Sequence, residues 1–145
     1  MTRISEILAR KGAQVHRITP DATAHDALER LVGLGIGSLV VVSDAGVAGI
    51  FTERDFLTRV ALPGLDPRRT RLRDVMTGDL IYVAPHHTVD ECMAVMTSAR
   101  IRHLPVMDGD RLSGLISIGD LVKHVSLQRE AEIRHLNGYI DGSNA

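Results

Sequence analysis

The hydrophobic and polar positions of this 145-residue chain are written twice. Shifted by 65 positions, the interval from Pro20 to Pro85, the second half lies on the first without a gap over residues 20–62. Thr23 meets Thr88, Ile36 meets Ile101, Leu39 meets Leu104, Gly49 meets Gly114 and Asp55 meets Asp120. Most unlike pairs keep their character, as in Leu28/Met93, Leu31/Met96 and Thr52/Ser117. A period of this length marks a repeated structural unit, and it constrains the architecture before any local element is assigned.

Each repeat reads in one order. An extended piece comes first, at residues 15–18 and 80–83, followed by a proline and a threonine. Thr23 and Thr88 stand three residues before Asp26 and Glu91, the spacing at which hydroxyl and carboxylate cap a helix start reciprocally. Behind them apolar residues fall at helical intervals: Ala27, Leu28, Leu31, Val32 and Leu34, then Cys92, Met93, Val95, Met96 and Ala99. Two strands joined by a turn follow, LVVV-SDAG-VAGIF and LPVM-DGDR-LSGLI, with glycine and aspartate supplying the turn chemistry. A second helix starts at Thr52 and at Ser117. In repeat two it is predicted to run to about Leu136, with Asn137 and Gly138 as the stop and DGSNA as a loose tail. Short helical pieces, ISEILA and LRDVM, precede the repeats.

Residues 63–71, PGLDPRRTR, carry two prolines and read as a solvated linker. The division is repeat one at 1–62, linker at 63–71, repeat two at 72–127, and a helical extension and tail at 128–145. The runs LVVV and LIYV predict strands covered on both faces. A unit of about 60 residues seldom supplies more than about 3–5 kcal/mol by itself. The two sheets are therefore predicted to pack on each other. The fold class is α/β (α+β), as two tandem β-α-β-β-α repeats related by a pseudo-two-fold.

Composition removes several function classes. A formal net charge of −1 gives no bulk attraction to nucleic acid or to an anionic membrane. With no Trp, two Phe and two Tyr, stacking platforms for single strands are nearly absent. The apolar run LVVV is far shorter than the roughly 18 residues of a membrane helix, and MTRISEILARKG has no apolar leader core. One cysteine, Cys92, excludes an intrachain disulfide. Together these predict a cytoplasmic protein without membrane contact. Cys92 lies on the apolar face of its helix and reads as core. His86 and His87 are adjacent rather than four apart, so they do not form a helical metal pair. No Gly-rich phosphate loop, nucleophile elbow or convergent Cys/His/carboxylate cluster appears, so no enzyme is predicted.

Three features together resemble a tandem pair of CBS domains, the regulatory modules named from cystathionine β-synthase. They are the segments GIFTERD and GLISIGD, the stretch IRHLPVMD with its weaker counterpart IGSLVVVS, and the strand-x-P-x-x-T opening of each repeat. The resemblance covers residues from about 4 to 127. TERD and the tail NGYIDGS are also similar to small stand-alone CBS-pair proteins that sense adenine nucleotides. The resemblance implies a cleft between the repeats with two pseudo-symmetric sites for AMP, ADP, ATP, NAD or S-adenosylmethionine. It implies Asp55 and Asp120 on ribose hydroxyls, Thr52 and Ser117 on ribose or phosphate, and the adenine edge near Arg17 and Tyr82. It further implies a homodimer and a target protein that the sequence does not name.

These residue types suit that task. An ionised carboxylate accepts both hydroxyls of a ribose, in charge-assisted bonds of about 1.5–3 kcal/mol each when shielded from water. A helix N-terminus beside it offers free N–H groups to phosphate. Gly49 and Gly114 are read as allowing a ligand close to the backbone. Arg54, Arg102 and His103 are candidate phosphate partners. In repeat one, Ile36, Gly37 and Ser38 stand where repeat two has Ile101, Arg102 and His103, so the two sites are not equivalent. The same [ST]-x-x-[DE] pattern is also a plain capping box, and the alternative is a structural or interaction pair with vestigial sites. Candidate dimer contacts are Leu28, Leu31, Met93 and Met96, with Ile133 and Leu136 of the C-terminal helix.

Overall fold

The two capping boxes close as their spacing predicts. In the computed structural model, which describes residues 1–140, helix α2 (Ala24–Leu34) begins where Thr23 Oγ1 accepts from the Asp26 amide at 3.1 Å. Helix α5 (Val89–Ala99) begins where Thr88 Oγ1 accepts from the Glu91 amide at 3.2 Å. Each box lies three residues ahead of its acid, so the first free N–H groups are satisfied locally. The DGSNA tail lies outside the described residues.

The hairpins follow. Strands β2 (Ser38–Ser43) and β3 (Gly46–Thr52) pair antiparallel, as do β4 (His103–Asp108) and β5 (Arg111–Ser117). Both ladders slip register at equivalent places, between Val41 and Val42 and between Val106 and Met107. The opening extended pieces are shorter than predicted. Strand β1 is only Arg17–Ile18, parallel to β2, and in repeat two Val83 alone makes a parallel bridge, to Val106. The LIYV run does not build a doubly covered strand, because Ile81 and Tyr82 are exposed and only Val83 is buried.

The lead helices cross over. Helix α1 (Ile4–Lys11) puts Ile4, Ile7 and Leu8 into the core of repeat two, among Val83, Cys92, Met96, Leu104, Ile116 and Leu121. Helix α4 (Leu72–Val75) puts Leu72 and Val75 into the core of repeat one, among Ala27, Leu31, Leu39, Val41 and Phe51. Backbone bonds fix both exchanges: the Ile4 amide to the His87 carbonyl at 2.8 Å, and the Leu72 amide to the Ala22 carbonyl at 2.9 Å. Full burial of an aliphatic side chain contributes about 1.5–3 kcal/mol. Neither repeat can leave the other without exposing several such groups. Residues 1–11 thus precede repeat one in the chain but pack in the core of repeat two.

The linker is also more ordered than its composition predicts. A 3₁₀ turn at Pro67–Arg69 is capped by Asp66, Arg71 donates to the Asp21 carbonyl at 2.7 Å, and Arg73 pairs with Asp21. Arg71 and Arg73 tie the connection to repeat one, while the four arginines Arg68, Arg69, Arg71 and Arg73 stay exposed to solvent.

Along β2, Leu39 and Val41 face the repeat-one core, and along β4, Leu104 and Val106 face that of repeat two. The residues between them, Val40 and Pro105, point the other way and are fully buried all the same. They are equivalent under the offset.

Past Ser117, α6 (Ile118–Ile140) continues beyond the predicted stop at Asn137 and Gly138. Residues 126–137 along it are exposed. Leu31 and Met96 are core residues at 3% exposure, so they are unavailable as dimer contacts. The repeat-one helix begins as α3 (Glu53–Phe56) and widens into a π turn at Leu57–Ala61.

Gly49 and Gly114 are needed for packing. A Cβ on Gly49 would lie 2.5 Å from the Thr77 carbonyl oxygen, and one on Gly114 would lie 2.6 Å from Leu8 Cδ2. Backbone cannot retreat as a leucine tip can. Gly49→Ala is therefore expected to destabilise by about 2–3 kcal/mol and Gly114→Ala by about 1 kcal/mol. Urea denaturation of both variants checks the order, and equal costs would refute it.

Candidate functional site

Asp55 is placed by its own helix start. Thr52 Oγ1 accepts from the Asp55 amide at 3.1 Å, and Asp55 Oδ2 accepts from the Thr52 amide at 3.0 Å. The capping reading of this motif is therefore real. The second oxygen, Oδ1, accepts from Thr77 Oγ1 at 3.2 Å and has Arg59 Nε at 3.8 Å. Arg59 sits in the π turn and also donates to the Met76 carbonyl at 2.7 Å, which pins the end of α4 against α3. Asp55 is 8% exposed, one of two buried polar residues among those described.

A cleft of about 690 Å³ opens over this carboxylate, between the repeats. That volume is in the range of small-molecule sites. Repeat one contributes Gly37, Ile50, Thr52, Glu53, Arg54, Asp55 and Leu57. Thr77, Asp79, Leu80 and Ile81, on the approach to repeat two, form one wall, and Ala99, Arg100, Ile101, Arg102, His103 and Pro105 form another. The cleft thus combines an apolar stretch (Ile50, Leu57, Leu80, Ile81, Pro105) with arginines and a buried carboxylate.

Of the residues predicted from the sequence, Thr52, Arg54, Asp55, Gly37, Ile101, Arg102 and His103 come together here. Ile36, Ser38, Arg17, Tyr82, Ser117 and Asp120 do not line it. Ile36 packs against the repeat-one core, and Ser38 is buried at the start of β2, opposite Thr52. Arg17 is exposed in β1, its carbonyl taken by the Arg30 side chain. Tyr82 is 61% exposed, and the wall is made by Leu80 and Ile81 just before it. The residues missed were Glu53, Thr77, Asp79 and Arg100. Thr77 is brought in by its paired backbone bonds to Ile50, a contact outside the 65-residue alignment.

Gly37 and His103 face each other. A Cβ on Gly37 would lie 3.1 Å from His103 Nε2, so the space that the glycine leaves is filled by the imidazole. Burial pushes the His103 pKa below its ordinary value, opposed by Glu53 and Asp120 and aided by Lys11 and Arg102. Burial thus favours the uncharged ring in the fold, and its N–H remains a donor. The neutral form is favoured in the fold above about pH 6.5, and that stabilisation is lost as pH falls.

The second carboxylate has a different partner. Asp120 Oδ2 accepts from the Ser117 amide at 2.8 Å and from Lys11 Nζ at 2.7 Å, and Lys11 also donates to the Leu115 carbonyl at 2.9 Å. Beside this pair Arg10 meets His124 Nδ1 at 2.9 Å, so the end of α1 is tied to the first turns of α6. The counterpart of Lys11 under the offset is Met76, which carries no charge. Burial pushes the Asp120 carboxyl up, but the bonds from Lys11 and Ser117 outweigh it and hold the pKa below the ordinary value. Elsewhere, His86 and His87 are stacked at 4.6 Å, and no group of three or more metal-ligating side chains occurs among the described residues. Cys92 is core, its thiol pushed up to about 11 by burial and by Glu91.

A depressed carboxylate stabilises the fold above its unfolded pKa of about 4 and loses that contribution as pH falls through the folded one. Lys11→Met is expected to cost up to about 1 kcal/mol at pH 7, the scale of a partly exposed pair. The difference from wild type should shrink as pH falls through the depressed folded pKa of Asp120, where the carboxylate is protonated. Urea denaturation at pH 7 and at low pH measures it, and a cost that persists at low pH would assign the effect to packing of the lysine stem.

The CBS domain family matches this chain twice, at residues 4–62 and 72–127. The CBS domain-containing protein CBSX3, mitochondrial, of Arabidopsis thaliana is 37% identical over 150 residues, which span 97% of this chain and 73% of that protein. A solved CBS-domain containing protein from Agrobacterium tumefaciens is 39% identical with a TM-score of 0.81, over 85% of this chain and 98% of its own. The CBS domain pair of protein MJ0100, solved with 5′-methylthioadenosine and S-adenosylmethionine, has the same fold at 21% identity. Its TM-score is 0.77, over 88% of this chain and 98% of its own. No helix among the described residues is long and apolar enough to cross a membrane. The exchanged lead helices, the two capped hairpin-helix units and the cleft between them are those of a CBS pair, and the chain belongs to the CBS domain family.

Proposed function

We propose that this CBS pair is a regulatory module that binds an adenosine-containing nucleotide in the cleft over Asp55. The observation that carries the reading is the cleft itself. It sets a buried carboxylate and a hydroxyl, for ribose, between an apolar wall and arginines. The apolar side chains match a purine face, the carboxylate accepts the ribose diol, and the arginines match phosphate. MJ0100, which binds adenosine compounds, has the same fold. AMP, ADP, ATP and NAD share the adenosine that these groups address. No catalytic step is part of the reading. Ligand occupancy would act on the angle between the repeats, since both contribute walls to the cleft.

A homodimer remains part of the proposal, with its contacts revised. Val32 and Leu34 on α2 and Val122, Leu127, Ile133 and Leu136 on α6 are the exposed apolar side chains of those helices. The regulated target is of a class that the cleft does not specify.

One observation favours the alternative of an interaction pair without a ligand: both oxygens of Asp55 already have partners within the chain. A thermal titration separates the two. Ligand at 100 times its Kd adds about 2.7 kcal/mol to the stability of a protein that binds it. With AMP, ATP and NAD at millimolar concentration, wild type is expected to show a ligand-dependent rise in Tm. Asp55→Asn, which keeps a capping side chain, is expected to lose that rise. No rise in wild type with any of the three would sink the sensor reading and leave the interaction module.

A further inference from the structure

Arg100 is the one non-glycine among the described residues with a positive φ, at φ 56° and ψ 44°. It ends α5 in the left-handed conformation, where a side chain crowds its own backbone and glycine does not. The equivalent residue of repeat one is Gly35, at φ 63° and ψ 39°. The backbone geometry is therefore a demand of the fold, met once without strain and once with an arginine. Strain kept at a position where a simpler residue serves points to a role for the side chain.

The surroundings say what role. Arg100 lines the cleft together with Arg102 and Arg54. Between the first two, Ile101 packs on the repeat-two core and bonds its amide to the Met96 carbonyl, while Arg100 and Arg102 are exposed. The alternation turns both guanidinium groups away from that core. Other arginines are engaged: Arg3, Arg10, Arg30, Arg59 and Arg71 each donate hydrogen bonds within the chain. The guanidinium groups of Arg54, Arg100 and Arg102 make no hydrogen bond or ion pair with the described residues. Glu53, Asp55 and Asp79 line the same cleft with carboxylates.

We propose that Arg100 is a specificity residue that, with Arg54 and Arg102, takes the phosphate chain of a nucleoside di- or triphosphate and makes the cleft prefer it to a monophosphate. The inference rests on the nucleotide reading above and sharpens it. A single phosphate offers one planar guanidinium pairing face after another only within a few ångströms, whereas a chain of two or three phosphates reaches three separate guanidinium groups. Charge-assisted bidentate pairs of this kind are the strong ones. Arg100, two residues further from β4 than Arg102, serves the distal phosphate.

The test is calorimetric titration of ATP, ADP and AMP into wild type, Arg100→Gly and Arg100→Asn, with melting curves of each protein alone. Glycine removes the strain, so the free Arg100→Gly protein is expected to melt about 2–4 °C higher. Asparagine tolerates the left-handed conformation and removes the charge. For both variants ATP affinity is expected to fall on the order of tenfold, the scale of one charge-assisted bond. AMP affinity should fall by less than about threefold. Unchanged ATP affinity in a more stable variant would make Arg100 a strained cap and nothing more, and overturn the proposal. Equal losses for ATP and AMP would overturn the selectivity while leaving the nucleotide reading intact. Wild type that binds none of the three would remove the reading on which the proposal stands.

Discussion

Everything in this molecule depends on the exchange of lead helices. Helix α1 completes the core of the repeat that follows the linker, and α4 completes the core of the repeat before it. Each exchange is held by apolar burial and by backbone bonds at the start of the recipient's long helix. The consequence for function is geometric. A segment that arrives from the other repeat must pass the helix start carrying the capping carboxylate. Thr77 reaches Asp55 in this way as the chain leaves α4, and Lys11 reaches Asp120 at the end of α1. The carboxylates are thus read by the opposite lead segment before any ligand arrives. A change at either site bears directly on how the repeats are held together.

The repeat itself was legible in the sequence, because burial on one face of a helix or strand writes a period into the chain. So were the capping boxes, whose spacing is local chemistry, and the hairpins with their glycine turns. The crossover was not legible. The pattern ISEILA states that one face is apolar, but not which core receives it. The apolar run LIYV was misleading for a related reason. Hydrophobic type reports what can be buried, and the packing left Ile81 and Tyr82 outside. Gly49 and Gly114 carried a true signal of close approach, but what approaches is the Thr77 carbonyl and the Leu8 side chain.

The candidate site was legible in half. The motif GIFTERD and the stretch IRHLPVMD meet across the cleft, as the family resemblance implied. Of the residues that escaped notice, Thr77 and Lys11 lie outside the gapless 20–62 alignment, and the meaning of Arg100 is conformational. Thr77 aligns with Gly12 and Lys11 with Met76, in the lead segments that precede the matched stretch. Arg100 aligns with Gly35, an exchange that looks unremarkable until the backbone angles show both in the left-handed region.

The broken symmetry has an electrostatic meaning. At Asp55 the helix cap occupies one oxygen, and the other accepts from a neutral hydroxyl with the Arg59 guanidinium 3.8 Å away. A ribose hydroxyl can replace the threonine hydroxyl at little cost, because one neutral donor succeeds another and the carboxylate keeps its charge. At Asp120 the cap and an ammonium share a single oxygen, and the ammonium is anchored a second time on the Leu115 carbonyl. A diol arriving there meets a carboxylate already neutralised, and displacing Lys11 would strand its charge beside a carbonyl. The charge-assisted part of the bond, which is the larger part of its strength, is spent on holding α1 in place. Two copies of one capping motif thereby sit in different surroundings: Asp55 lines the cleft beside Thr77 and Arg59, and Asp120 fastens the N-terminal helix to the far repeat.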